Sequence, residues 1–144
     1  MSEQIKKTEQ EFKEILNECQ SLFSKKLHDY GASWRILRPS SLTDQLFIKA
    51  KRIRSIEITG ENRVGESVRQ EFIALINYGI IGLIQLERPF VDTVDITPEE
   101  AMALYEKHAK ATYELMLKKN HDYGEAWRDM RVSSYTDFIL TKIQ

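Results

Sequence analysis

Sliding the sequence against itself by 93 positions brings residues 25–49 onto 118–142, and 14 of those 25 pairs are identical. Two stretches this alike must fold alike locally. The chain is therefore constrained to build one helix-loop-helix element twice, around His28-Asp-Tyr-Gly-x-x-Trp-Arg35 and His121-Asp-Tyr-Gly-x-x-Trp-Arg128. The 19 pairs just upstream, 6–24 against 99–117, share only Leu22 with Leu115, so retention is concentrated at the turn. The retained pairs are Lys25/118, Lys26/119, His28/121, Asp29/122, Tyr30/123, Gly31/124, Trp34/127, Arg35/128, Arg38/131, Ser40/133, Ser41/134, Thr43/136, Asp44/137 and Lys49/142.

The surrounding pattern predicts helices. From about Gln4 to His28, the apolar residues Ile5, Phe12, Ile15, Leu16, Cys19, Leu22 and Phe23 recur at three- and four-residue spacing, the period of an amphipathic helix. Gly31 stops it. A second helix is expected from near Ser41, capped by Ser41 with Asp44, to about Ile56. After a turn at 59–62, a third runs from about Gly65 to Leu86 and ends before Pro89. Thr97-Pro-Glu-Glu100 supplies a cap, a first-turn proline and first-turn acids for a fourth helix reaching about His121. Ser133, Ser134 and Asp137 repeat the cap signal and open a fifth. No segment alternates with period two between turn signals. The expectation is an all-α fold of about five helices in a single bundle-like domain over residues 1–144, with one repeat unit at about 4–92 and a partial second at about 97–144.

With 144 residues, 42% hydrophobic and 30% charged, one compact domain is the natural size. A net charge of -1 gives no field to attract nucleic acid or an anionic membrane, so phosphate recognition must be local. The longest apolar run, Phe72 to Leu86, falls short of the roughly 20 residues of a membrane span and reads as a core helix. Inside it, Asn77 must find a buried partner. A lone Cys19 makes no internal disulfide, which points to a reducing cytoplasm.

Part of the retained set has an architectural explanation. Gly31 and Gly124 suit the left-handed position after a helix, Lys25, Lys26 and His28 favour that helix's negative end, and Trp34 and Trp127 would hold two helices at a fixed angle. Lys25, Lys26, Asp29, Arg35 and Arg38, with Lys118, Lys119, Asp122, Arg128 and Arg131, are more than a tight turn needs. Cations converging on one loop would hold a phosphate or carboxylate, arginine contributing a planar two-pronged contact. Asp29 or Asp122 would orient an arginine, bind a metal or accept from a ribose hydroxyl. Tyr30, Trp34, Tyr123 or Trp127 would stack on a base. His28 and His121 complete the candidate set as loop donors in preference to general bases.

The Lys-x-x-x-Asp-Tyr-Gly turn, followed by Thr-Asp-x-x-x-x-Lys-x-Lys-Arg at 43–52 and by Glu66-Ser-Val through Leu75-Ile-Asn77-Tyr78, resembles the nucleotide modification associated domain 1 family. The resemblance covers about 25–86 as one unit and 118–144 as part of a second. It implies an all-α protein tied to nucleotide or modified-base metabolism, without an assigned reaction. A more distant likeness to the all-α nucleoside triphosphate pyrophosphohydrolases implies hydrolase-like chemistry with magnesium held by paired acids. Here the pattern departs, because Ala74 stands where that resemblance implies an acid. Glu66 and Glu71, five apart, fall on different faces of a helix, which argues against a joint magnesium site; Glu66 reads instead as a first-turn acid.

About forty residues of the first unit have no counterpart after Gln144. The expectation is a fragment of a chain with two full units; otherwise an apolar face at Phe138, Ile139 and Ile143 calls for a homodimer. The functional expectation is a nucleotide or other phosphate-bearing small molecule bound at the duplicated turns, with or without turnover. The alternative is a helical interaction or oligomerisation domain in which the turns are structural.

Overall fold

Each copy of the repeated turn begins where a glycine lets a long helix stop. In the computed structural model, which describes residues 3–60 and 67–144, Gly31 and Gly124 take φ of 64° and 74°, and their N–H groups donate to Leu27 O and Asn120 O at 2.8 and 2.9 Å. Nothing lies within 4 Å of a Cβ built at either, so the backbone conformation, rather than crowding, selects glycine. After each glycine comes one short 3-10 segment, Ser33–Ile36 or Ala126–Asp129.

Around these turns run α1 (Glu3–Tyr30), α2 (Pro39–Thr59), α3 (Val68–Glu87), α4 (Pro98–Tyr123) and α5 (Val132–Ile143). The all-α fold stands, with no strand among the described residues. The predicted cap of α4 is present in full: Thr97 and Glu100 form a reciprocal capping box, with Pro98 at the first helical position between them. A second box, Ser67 with Gln70, opens α3. The expected turn residues Glu61 and Asn62, the expected helix start at Gly65, and Glu66 lie outside the described residues.

The caps expected at Ser41 and Ser134 are corrected. α2 starts at Pro39 and α5 at Val132, and their N-cap residues are the retained arginines Arg38 and Arg131, extended and without a side-chain cap bond. In α2, Pro39 fixes φ for a first helical position and pushes the residue before it to extended backbone, so that helix begins earlier than the serine pattern suggests. Asp137, expected to support a cap, lies 3.4 Å from Arg54.

The chain gathers into two compact units, and each takes its helices from both sequence repeats. Met1–Ile36 with Val91–Asp129 forms the first. Here α1 and α4 lie antiparallel, as the pairings Thr8 with Glu125, Phe12 with Tyr113, Gln20 with Glu106 and Phe23 with Tyr105 show. Its two turns therefore sit at opposite ends of one helix pair.

Leu37–Phe90 with Met130–Gln144 forms the second unit, made of α2, α3 and α5. Its core is Ala50, Ile53, Leu75 and Leu140, with Leu46, Val68, Phe72, Ile139 and Ile143 packed around it. Two of the three residues expected to leave an apolar face bare, Ile139 and Ile143, are thus covered within the unit, and Phe138 is the one left exposed. The apolar run at 72–86 is a core helix as predicted, and no described helix is long and apolar enough to cross a membrane. The buried Glu71 carboxylate sits between Arg52 at 3.0 Å and Lys49 at 3.4 Å.

Candidate functional site

The retained residues of the two turns fall into an exposed group and an inward-facing group. Lys25, Lys26, His28, Asp29 and Tyr30 are exposed at the end of α1, as are Lys118, Lys119, His121, Asp122 and Tyr123 at the end of α4. Each histidine Nδ1 lies 3.4 Å from the next aspartate, an adjacency that is the same in both copies. Arg38 and Arg131 belong to the second unit; Arg38 lies over the Phe90 ring, 5.7 Å from its centroid. The four cations of each copy therefore do not form one cluster within a unit.

In the first turn the inward group is buried against aromatic and aliphatic side chains. The Phe23 ring stacks on Tyr105 with centroids 4.4 Å apart and lies 6.1 Å from Trp34. Leu27, Ala32, Ala101 and Leu104 are buried beside them. Arg35 is 2% exposed and makes a two-pronged contact with Asp95, Nε to Oδ1 at 2.9 Å and Nη2 to Oδ2 at 3.3 Å. The segment that carries Asp95 also covers the turn, through Val91 N–H donating to Arg35 O and through the buried Ile96. Burial raises the Tyr105 phenol well above its ordinary value, and nearby Cys19 adds to the effect.

The second turn places the same residue types around a cavity of about 680 Å³. From α1 it is lined by Thr8, Glu11, Phe12 and Ile15, from α4 by Thr112, Leu115, Met116, Lys119 and Asn120, and from the turn by Tyr123, Gly124, Trp127 and Arg128. Trp127 is 39% exposed where Trp34 is 9%. Shifting by 93 explains the difference: Phe23 becomes Met116, Leu27 becomes Asn120 and Ala32 becomes Glu125, while Ala101 and Leu104 stand opposite Thr8 and Glu11. A large ring is lost, and four apolar positions become polar.

Those polar groups satisfy one another. Asn120 accepts from Trp127 Nε1 at 2.9 Å and donates to Glu125 at 3.1 Å. The Thr8 hydroxyl lies 2.8 and 2.9 Å from the two Glu125 carboxylate oxygens. Arg128 donates through Nε to Glu125 at 3.1 Å and through Nη2 to Thr8 and Glu11, both at 2.7 Å, with its guanidinium 4.7 Å from the Trp127 ring centroid. Burial pushes the Glu125 carboxyl up, but hydrogen bonds from Asn120, Thr8 and Arg128, with the guanidinium charge, hold it below the usual carboxylate range. The bond to Glu11 heads the influences that raise Arg128 further.

The arrangement can do what an open apolar slot with a fixed polar end does: accept a flat ligand and read one edge of it. Sequence reasoning ranked Lys119, Tyr123, Trp127 and Arg128 but passed over Thr8, Glu11, Phe12, Met116, Asn120 and Glu125. The signal for these lay at the register positions where the repeats differ. As for magnesium, Glu71 is occupied by Arg52 and Lys49, and no group of three His, Cys, Asp or Glu among the described residues is placed to hold a metal ion.

No curated protein and no solved structure matches the chain. The nucleotide modification associated domain 1 family matches residues 26–86 and 119–144, two segments that begin 93 residues apart, on Lys26 and its repeat partner Lys119. These segments span more than half of the sequence and contain both Asp-Tyr-Gly turns, and the chain belongs to the nucleotide modification associated domain 1 family.

Proposed function

We propose that this protein binds a nucleotide in the cavity of the second turn, while the first turn is architectural. The observation that carries the reading is the cavity itself: of two turns with the same motif, the first buries its tryptophan and arginine, while the second sets them in the wall of an open cavity. About 680 Å³ lies within the usual range of small-molecule sites. Aromatic walls from Phe12, Tyr123 and Trp127 suit a base, and Lys119 at the lining suits a phosphate. The family's association with nucleotide modification supports the same reading. Arg128 is committed to two carboxylates, so its role is to hold the polar end together, and the phosphate contact falls to Lys119.

A melting screen against nucleoside mono-, di- and triphosphates, with and without magnesium, tests this. At a ligand concentration a hundredfold above Kd, the stabilisation expected is about 2.7 kcal/mol, or roughly 5–10 °C in a domain of this size. Trp127→Ala should remove the shift, and Lys119→Ala should reduce it for phosphorylated ligands. Absence of a shift with every nucleotide would overturn the reading; release of inorganic phosphate or pyrophosphate in the same samples would add a hydrolase activity to it.

A further inference from the structure

Resting on the nucleotide-binding reading, we infer that the moiety seated in the second-turn cavity is the base, and that it is a base carrying an exocyclic amino group. The first turn shows what the second one lacks. Where Phe23 stacks on Tyr105 beside Trp34, the matching positions are Met116, Phe12 and Trp127, all at the cavity. A flat aromatic ring entering between Phe12 and Trp127 makes the contacts that the Phe23 ring makes in the first turn. Methionine leaves room for it and adapts to its edge.

The polar substitutions then specify the ring. The buried Leu27 and Leu104 have Asn120 and Glu11 as counterparts in the second turn. Such changes disfavour a wholly apolar ligand, because polar groups facing a hydrocarbon lose their solvation without recompense. The charge balance at this end is negative: Glu11 and Glu125 share the single guanidinium of Arg128, whose Nε and Nη2 already donate to them. A carboxylate offers about four acceptor positions, so Glu11, with one bond to Arg128, keeps capacity for an N–H donor. An amino group supplies that donor. Uracil and thymine bring one N–H, at N3, flanked by two carbonyl oxygens that would face carboxylate oxygens, and a phosphate would meet a net negative end. The ring therefore goes in first, with the phosphate outward toward Lys119.

The test is calorimetric titration of the whole protein with adenosine, cytidine, uridine and thymidine, and with inorganic pyrophosphate. Adenosine or cytidine should bind at least tenfold more tightly than uridine and thymidine, and pyrophosphate alone should bind weakly. Met116→Phe, which restores the ring found in the first turn, should abolish nucleoside binding without lowering the melting temperature. Glu11→Gln should shrink the discrimination between amino-bearing and carbonyl-bearing bases while leaving the fold intact by circular dichroism. If nucleotides bind but nucleosides do not, or if folded Met116→Phe binds as the parent does, the base inference fails while the nucleotide-binding reading survives. Equal affinity for all four nucleosides overturns the amino-group assignment, and failure of every nucleotide to bind overturns both.

Discussion

In the first turn the tryptophan and arginine are interior groups, walled in by Phe23, Tyr105, Leu27 and a covering segment that supplies Asp95; in the second they form the wall of a cavity. The eight-residue motif is the same, so the motif cannot be what decides. It fixes the helix stop, the positive-φ glycine and the 3-10 turn, which both copies share. The outcome is decided by residues that the repeat does not retain. Phe23 against Met116 sets whether the slot is filled, and Leu27 and Ala32 against Asn120 and Glu125 set whether its lining is apolar or polar. A retained motif can thus be interior in one copy and line a cavity in the other, with its variable surroundings setting which.

The comparison can be broken most forcefully at the arginines. Arg35→Ala removes a buried charge from a two-pronged pair and should cost about 3 kcal/mol, lowering Tm by roughly 6–12 °C. Arg128→Ala, at a side chain 23% exposed, should cost clearly less. Equal losses in paired thermal melts would show that the two turns are energetically alike. Next in size, Asn120→Leu installs the first-turn residue but removes the bonds that Asn120 makes to Trp127 Nε1 and Glu125, at a cost of about 1–2 kcal/mol. Adding Glu125→Ala should give less than the sum of the two single losses, because the residues share one network. Strict additivity would show that the network is only geometric.

In the other direction, Phe23→Met should cost about 1 kcal/mol by removing the stacked ring from the first turn. It should also make Trp34 more accessible to acrylamide quenching in a Trp127→Phe background; unchanged quenching would show that the slot collapses on loss of the ring.

The pH responses are the smallest and have opposite signs. The folded-state pKa of Glu125 is depressed, so its contribution is complete above the unfolded carboxylate value of about 4.3 and is lost as pH falls through the lower folded one. Glu125→Gln should flatten that acid limb of the stability curve. Tyr105 has a raised folded-state pKa, so its contribution is complete below about pH 10 and is lost as pH rises beyond it, the unfolded phenol ionising first. Tyr105→Phe should hold its stability further into alkali than the parent; parallel alkaline curves would count against burial as the cause.

Much of this was legible in the sequence, for identifiable reasons. Helix period, Thr97-Pro98 and the two glycines are local signals, and local physics reads them correctly. The start of α2 is misread from the serine because two signals compete, and Pro39, which restricts both itself and Arg38, outweighs a serine two positions on; α5, with Val132 in the matching place, starts equally early without a proline. The candidate site was legible only in part. Comparing the repeats directed attention to identity, and Lys119, Tyr123, Trp127 and Arg128 do line the cavity. Whether a side chain is interior or at an open wall depends on partners far away in sequence, as with Arg35 and Asp95 or Arg128 and Glu11, and no single helix reveals which it will meet.

The drawing of each compact unit from both sequence repeats has a consequence for how the protein comes into being. The contacts that bury α1 bridge large gaps along the chain, 82 residues from Phe23 to Tyr105 and 117 from Thr8 to Glu125. At ordinary rates of synthesis α1 waits on the order of ten seconds for α4 to be made, with Phe12, Cys19 and Phe23 on one unburied stripe. Contacts of such separation also slow the search once the chain is complete. The first unit therefore assembles only once α4 is made, as the second is completed only by α5, and during that interval α1 is open to capture by a chaperone or by another chain's unpaired helix.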